Sequence, residues 1–341
     1  MPRTLFLLAG LALFIYLFVH LGPAAIFEML GRIGWSAVPI AAAYGVYQTF
    51  RSLALTASVS STRTLSFRDA LWIRLSGEAV QFLTFTGPFL AEPAKALLLK
   101  RRGLSTVEGF AATITEYLSY MFTSAILAIG ALWWMLQRGM VEGGVRAVAI
   151  GLLTAMVIFL LASAVAIVRR VHLLGAILER ISRLPLVRRR LKPNMTDVHR
   201  VEDLLLHVMH DRPSRFARIL LLESSSHALH ILELFLILGA LGLGANIGMA
   251  TLIEGAAKFI GLAFFFIPGQ VGASEGAHTI IFEAIGLPAV EGFTVPFVRR
   301  IRSIVVAALG LLAISALTSL SPPPTRDSSP ASTKDEKIKE T

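Results

Sequence analysis

The sequence predicts an all-α polytopic membrane protein: about six full transmembrane helices plus two re-entrant broken hairpins, an arrangement compatible with an inverted repeat. Three observations carry that prediction. Of the 341 residues 55% are hydrophobic and 16% charged, with a mean hydropathy of +0.69, far from the composition of soluble domains. Several apolar runs reach the roughly 18–20 residues a helix needs to cross a bilayer. None shows the strict alternation of outer-membrane strands.

Along the chain, apolar runs place spans at 4–21, 35–58, 107–136, 145–168, 217–243 and 303–320. The first is long for the apolar part of a secretory signal and further spans follow, so it reads as an uncleaved helix. Two more apolar segments, 70–92 and 249–290, are interrupted by Gly, Pro and charge. The basic loops set the orientation. Segment 169–218 carries 12 Lys and Arg against 5 Asp and Glu, which reads as a cytoplasmic loop lying against anionic lipid. Lys95, Lys100, Arg101, Arg102, Arg63, Arg68 and the N-terminus fall on the same side. Segment 70–92 then begins and ends inside. With a cytoplasmic C-terminus, 249–290 begins and ends outside.

Two broken segments entering from opposite faces point to an inverted-repeat transporter with its site where they meet. A short likeness between Gly77-Glu-Ala-Val-Gln-Phe and Gly255-Ala-Ala-Lys-Phe agrees with this. The transmembrane domain therefore covers 1–320, in the cytoplasmic (inner) membrane. Within it, the cytoplasmic loop 169–216 holds an amphipathic helix at 172–184, with Leu174, Ile177, Leu178 and Ile181 on one face. The last 21 residues, 321–341, are Pro- and Ser-rich with four positive and four negative charges, the composition of a disordered tail.

Composition also bounds the chemistry. The chain has no cysteine, which excludes disulfides, thiolate metal sites and cysteine nucleophiles. The basic loop lacks the folded, aromatic-interleaved surface of a nucleic-acid binder, so no nucleic-acid partner is expected. No cofactor is expected either.

Ionisable side chains at membrane depth are costly, and each marks a candidate site. In the first broken segment these are Glu78, Glu92 and Lys95, beside Pro88 and Pro93, which are expected to break the helix. In the second they are Glu275 and His278, beside Pro268, Gly269 and Gly272, whose turns free N–H groups for an anionic head group. Glu223, His227, His230 and Glu233 recur at steps of four, three and three, one stripe of a helix. Without an H-E-x-x-H pattern or further ligands, this stripe reads as a polar face toward a cavity rather than a metal site. Glu116, Glu254 and Lys258 are expected to face the same interior. Arg299, Arg300 and Arg302 stand at the expected outer end of the last span, where lipid phosphates would suit their planar forks. Glu275 is expected to meet Glu92 and Lys95.

Pro88, Ala91, Glu92 and Lys95 resemble a P-x-x-G-E-x-x-R motif, with Ala91 for Gly and Lys95 for Arg. Pro268, Gly269, Gln270, Gly272 and Glu275 resemble P-G-G-x-G-x-x-E, with Gln270 for the second Gly. On these motifs the chain resembles the lysylphosphatidylglycerol synthase transmembrane (flippase-like) family, which includes the membrane half of the multiple peptide resistance factor. The resemblance spans roughly 5–318. It implies movement of lipid between leaflets, of an anionic or modified lipid: a phospholipid, a polyprenyl-linked lipid or a hopanoid-type lipid. Membrane lipids are thus the expected partners, and no enzyme activity is expected. Two rival readings stand beside it. One is a non-transporting partner of a lipid-biosynthesis enzyme, with an oligomer compatible with either. The other is a serine hydrolase built on the G-x-S-x-G at 272–276, with Ser274 and His278 four residues apart.

Overall fold

The computed structural model describes residues 14–60, 64–84, 87–140, 142–182, 194–244, 246–263 and 270–319. Most of the first span, Pro268, Gly269 and the 321–341 tail lie outside these residues. No strand occurs among the described residues. The helices, in order, are α1 (Phe14–His20), α2 (Pro23–Ile33), α3 (Ala37–Ser58), α4 (Phe67–Leu83), α5 (Pro88–Arg101), α6 (Thr106–Gln137) and α7 (Gly143–Arg169). Then come α8 (Leu173–Ser182), α9 (Met195–Leu206), α10 (Pro213–Ala240), α11 (Ile247–Ala263), α12 (Ala273–Ala284) and α13 (Ala289–Ser319). One turn of π-helix, His207–Asp211, joins α9 to α10.

By length and composition α6, α7, α10 and α13 can each cross a membrane, and the chain from α1 through α3, bent by 88°, makes a fifth where the bent pair counts as one span. The protein is an all-α polytopic membrane protein. Local chemistry explains the boundaries. Ser105 caps α6 reciprocally with Glu108: its Oγ accepts from the Glu108 N–H at 3.2 Å, and Glu108 Oε2 accepts from the Ser105 N–H at 2.7 Å. Gly87, at φ +53, turns the chain between α4 and α5, and Pro88 opens α5 where its missing N–H costs nothing. Pro93, expected to break the helix, is carried inside α5.

Packing distinguishes the helices. The long face of α7 is nearly unburied, with Ile158, Leu161 and Val168 exposed, as suits a helix facing lipid on most sides. By contrast α6 buries a stripe of small residues, among them Gly109, Ala112, Ser119, Ala125 and Ala128. Small side chains let neighbouring helices approach closely where no hydrophobic effect drives them together. The central pairings are α3 with α10, α4 with α13 and α6 with α11.

The ends of the two hairpins lie at opposite ends of the bundle. The α4–α5 pair begins and ends together, with Arg102 Nε 3.1 Å from Asp69 Oδ1. The start of α10 lies at the end of α3, where Arg215 Nε donates to the Ala57 carbonyl at 2.6 Å; this is the basic end. At the far end, a groove of about 540 Å³ brings Trp134 and Met140 from the end of α6 together with Met249 and Ile285 from the ends of the α11–α12 pair. The last helix also begins earlier than the apolar run indicated. α13 starts at Ala289 and contains Pro296, so Arg299, Arg300 and Arg302 lie well inside it and not at its outer end.

Candidate functional site

A buried carboxylate on α6 organises the first half. Glu116 is fully buried and accepts hydrogen bonds from three helices. Its Oε1 takes Arg51 of α3 and Arg74 Nη1 of α4, the latter at 2.9 Å. Its Oε2 takes Lys95 Nζ of α5 at 2.9 Å. Each cation keeps a second partner: Glu223 for Arg51 at 3.3 Å, Glu78 for Arg74 at 2.6 Å and Glu92 for Lys95 at 2.9 Å.

On the second half the signs are exchanged. Arginines of α13 collect carboxylates from α10, α11 and α12. Arg302 pairs with Glu233 Oε1, and Arg299 reaches Glu233 Oε2 at 3.4 Å and Glu254 Oε2 at 2.8 Å. Lys258 Nζ lies 2.9 Å from Glu254 Oε1. Glu275 Oε1 accepts from Arg300 Nε at 3.0 Å, while its Oε2 accepts from the Gly272 N–H at 2.8 Å and so fixes the first turn of α12. The expected meeting of Glu275 with Glu92 and Lys95 does not occur; each finds its partners within its own half. The arginines expected at lipid phosphates are held by buried carboxylates instead.

Two tyrosines join the halves. Tyr44 donates its hydroxyl to Glu78 Oε2 at 2.6 Å while Arg302 lies 3.8 Å over its ring. Tyr120 carries Arg51 3.8 Å over its ring and accepts from Lys258 Nζ at 3.1 Å. Cations on desolvated aromatic faces are among the stronger such contacts. Between them, His230 packs edge-on to Tyr47 at 4.1 Å and lies 3.3 Å from Glu233, and His227 Nε2 meets Thr123 Oγ1 at 3.1 Å. The stripe Glu223, His227, His230 and Glu233 therefore does face the interior.

Exposure divides this belt by sign. The side chains of Arg51, Arg74 and Lys95 are 3–6% exposed. Lys258, Arg299, Arg300 and Arg302 are 14–19% exposed, with their carboxylates buried behind them. Reachable groups are thus basic in the second half, whereas Glu78 and Glu92, at 22% and 14%, are the reachable groups of the first.

His278 Nδ1 bonds the backbone carbonyl of Ser274 at 2.8 Å, one helical turn back, and no described contact joins its ring to the Ser274 hydroxyl. Arg51, Arg74, Tyr44 and Tyr120 are belt members that the sequence did not mark as site residues. Arg51 carried the available signal: a charge inside the apolar run 35–58 is as costly as Glu116.

The family model described as the lysylphosphatidylglycerol synthase TM region matches residues 4–310. No curated protein and no solved structure matches the chain.

Proposed function

The chain belongs to the lysylphosphatidylglycerol synthase transmembrane family, and from that premise we propose that it moves a lipid with an anionic head group between leaflets, along the polar belt. The observation that carries this reading is the belt itself: seven cations and seven carboxylates gathered among helices that otherwise face lipid. Burying so many ionisable groups in a membrane serves a path for charge far better than it serves stability, since hydrophobic replacements are often as stable as buried ion pairs. In this reading the reachable basic groups of α11 and α13 receive the phosphate, and the acyl chains stay in the bilayer beside the bundle. The basic end lies in the cytoplasm, in keeping with its arginine-rich loop. In this reading the protein acts as a transporter.

The test is leaflet exchange of fluorescent phosphatidylglycerol in reconstituted vesicles, read by dithionite quenching. Wild type should exchange the lipid well above protein-free vesicles, and Glu92→Gln and Glu275→Gln should slow exchange while the protein remains monodisperse. If wild type is no faster than empty vesicles, transport fails, and the reading as a non-transporting partner of a lipid-modifying enzyme takes its place. If both variants match wild type, the belt is not the path.

A further inference from the structure

The two hairpins are related in sequence as well as in placement. Gly103-Leu-Ser-Thr-Val-Glu-Gly-Phe110 and Gly286-Leu-Pro-Ala-Val-Glu-Gly-Phe293 share six of eight residues, 183 positions apart. The same offset equates the first residues of α6 and α13, Thr106 and Ala289. It equates Glu92 with Glu275 and Glu116 with Arg299. Backbone conformation follows the offset: Gly103 and Gly286 have φ of +91 and +79, and Gly87 and Gln270 have φ of +53 and +51. Close approaches follow it too. A Cβ on Gly109 would fall 2.8 Å from the Ala96 carbonyl oxygen, and one on Gly292 would fall 2.9 Å from the Thr279 Cα, where Thr279 is the equivalent of Ala96.

The relation extends through the preceding helices. The likeness of Gly77-Glu-Ala-Val-Gln-Phe to Gly255-Ala-Ala-Lys-Phe gives an offset of 178 between α4 and α11. Gly255 of α11 crosses α6 at Leu127 and Ala131, and Gly310 of α13 crosses α4 at Leu75 and Ala79. Leu127 and Gly310 are again 183 apart. The two crossings therefore occur at equivalent points, with the small residue supplied by the hairpin helix in one and by the long helix in the other.

We infer that the chain is an inverted duplication in which α5 and α12 are equivalent re-entrant helices, one from each face, and that Lys95 and Arg300 are the residues that latch them. Lys95 ties α5 to α6 through Glu116, at 2.9 Å. Arg300 ties α12 to α13 through Glu275, at 3.0 Å. The change of latch accompanies the sign exchange at 116 and 299: α5 offers a cation, Lys95, to Glu116 of α6, whereas α12 offers an anion, Glu275, to Arg300 of α13, next in sequence to Arg299. The functional consequence rests on the lipid-exchange reading: each latch positions one re-entrant helix beside the path.

The chain contains no cysteine, so single-cysteine variants need no altered background. Lys100 and Glu283 are equivalent, exposed residues near the ends of α5 and α12. In sealed vesicles of one orientation, a membrane-impermeant maleimide should label Lys100→Cys from one side and Glu283→Cys from the other. Labelling of both from the same side overturns the inverted duplication. For the latches, hydrogen–deuterium exchange of Lys95→Met should rise at least tenfold in the peptide covering α5 with α12 unchanged, and Arg300→Met should do the reverse. The conservative Lys95→Arg, which keeps a cation between Glu116 and Glu92, should retain protection in part. Release in both helices from either variant, or in neither, overturns the latch assignment. All of these readouts are independent of transport, so wild-type vesicles that exchange no lipid would sink the functional reading and leave the labelling pattern standing.

Discussion

Replacing Glu116 by Gln removes the one carboxylate that three helices share. The side chain keeps its shape but leaves Arg51, Arg74 and Lys95 around a neutral amide. Each of those cations retains a second carboxylate, Glu223, Glu78 and Glu92, so the cost is not three times that of a broken pair. Leaving a buried charge uncompensated costs about 3–5 kcal/mol, and with the remaining partners in place the expected loss stays within that range. Reversible unfolding in mixed micelles, titrated with dodecyl sulfate, measures it. The control is Glu28→Gln, which breaks the exposed Arg32–Glu28 pair, 2.9 Å apart, and should cost under about 1 kcal/mol. A double-mutant cycle with Lys95→Gln should return coupling of about 1–3 kcal/mol, as for contacting members of one network. A loss below about 1 kcal/mol for Glu116→Gln, or no coupling to Lys95, would refute the three-helix network.

Other outcomes are equally concrete. Ser274→Ala should leave lipid exchange and stability near wild type, and wild type should take up no fluorophosphonate; covalent labelling lost in this variant would reinstate the hydrolase. Gln270→Gly should stabilise the fold by about 1 kcal/mol, because Gln270 holds a left-handed φ of +51 that glycine adopts freely; a loss of stability would mean that the Gln270 side chain holds the turn. Tyr120→Phe removes the acceptor of Lys258 and keeps the ring under Arg51, so exchange should slow with little change in unfolding, whereas Tyr120→Ala should lower both.

Hydropathy made the spans over α6, α7 and α10 legible, and the breaks between α4 and α5 and between α11 and α12, because helix length and interruption by Gly and Pro are local properties. The cost of burying charge marked Glu92, Lys95, Glu116, Glu223, Glu233, Glu254 and Glu275 correctly as interior. Their pairings were not legible: whether Glu275 meets Lys95 or Arg300 depends on which helices pack, a long-range outcome. The start of α13 was missed for a related reason. Three arginines and Pro296 depress the hydropathy of 289–302, yet Glu233, Glu254 and Glu275 neutralise those arginines once the helices assemble. The repeat is written in the sequence at 103–110 and 286–293, mostly in glycines and apolar residues, which carry no burial cost to mark them.

The belt divides by helix into two neutral sets. Helices α3 to α6 contribute Arg51, Arg74 and Lys95 with Glu78, Glu92 and Glu116, and helices α10 to α13 contribute four cations and four carboxylates. Each half is neutral by itself, so each could enter a membrane as a self-contained unit. Among the described residues, the ion pair that crosses between these halves in the belt is Arg51 with Glu223, at 3.3 Å; the other polar ties are the Tyr44 and Tyr120 contacts and His227 with Thr123. Parting the halves in the belt would break this one ion pair and leave Glu223 without its cation, while the pairs within each half stay intact; the halves are held together instead by packing, α3 on α10, α4 on α13 and α6 on α11.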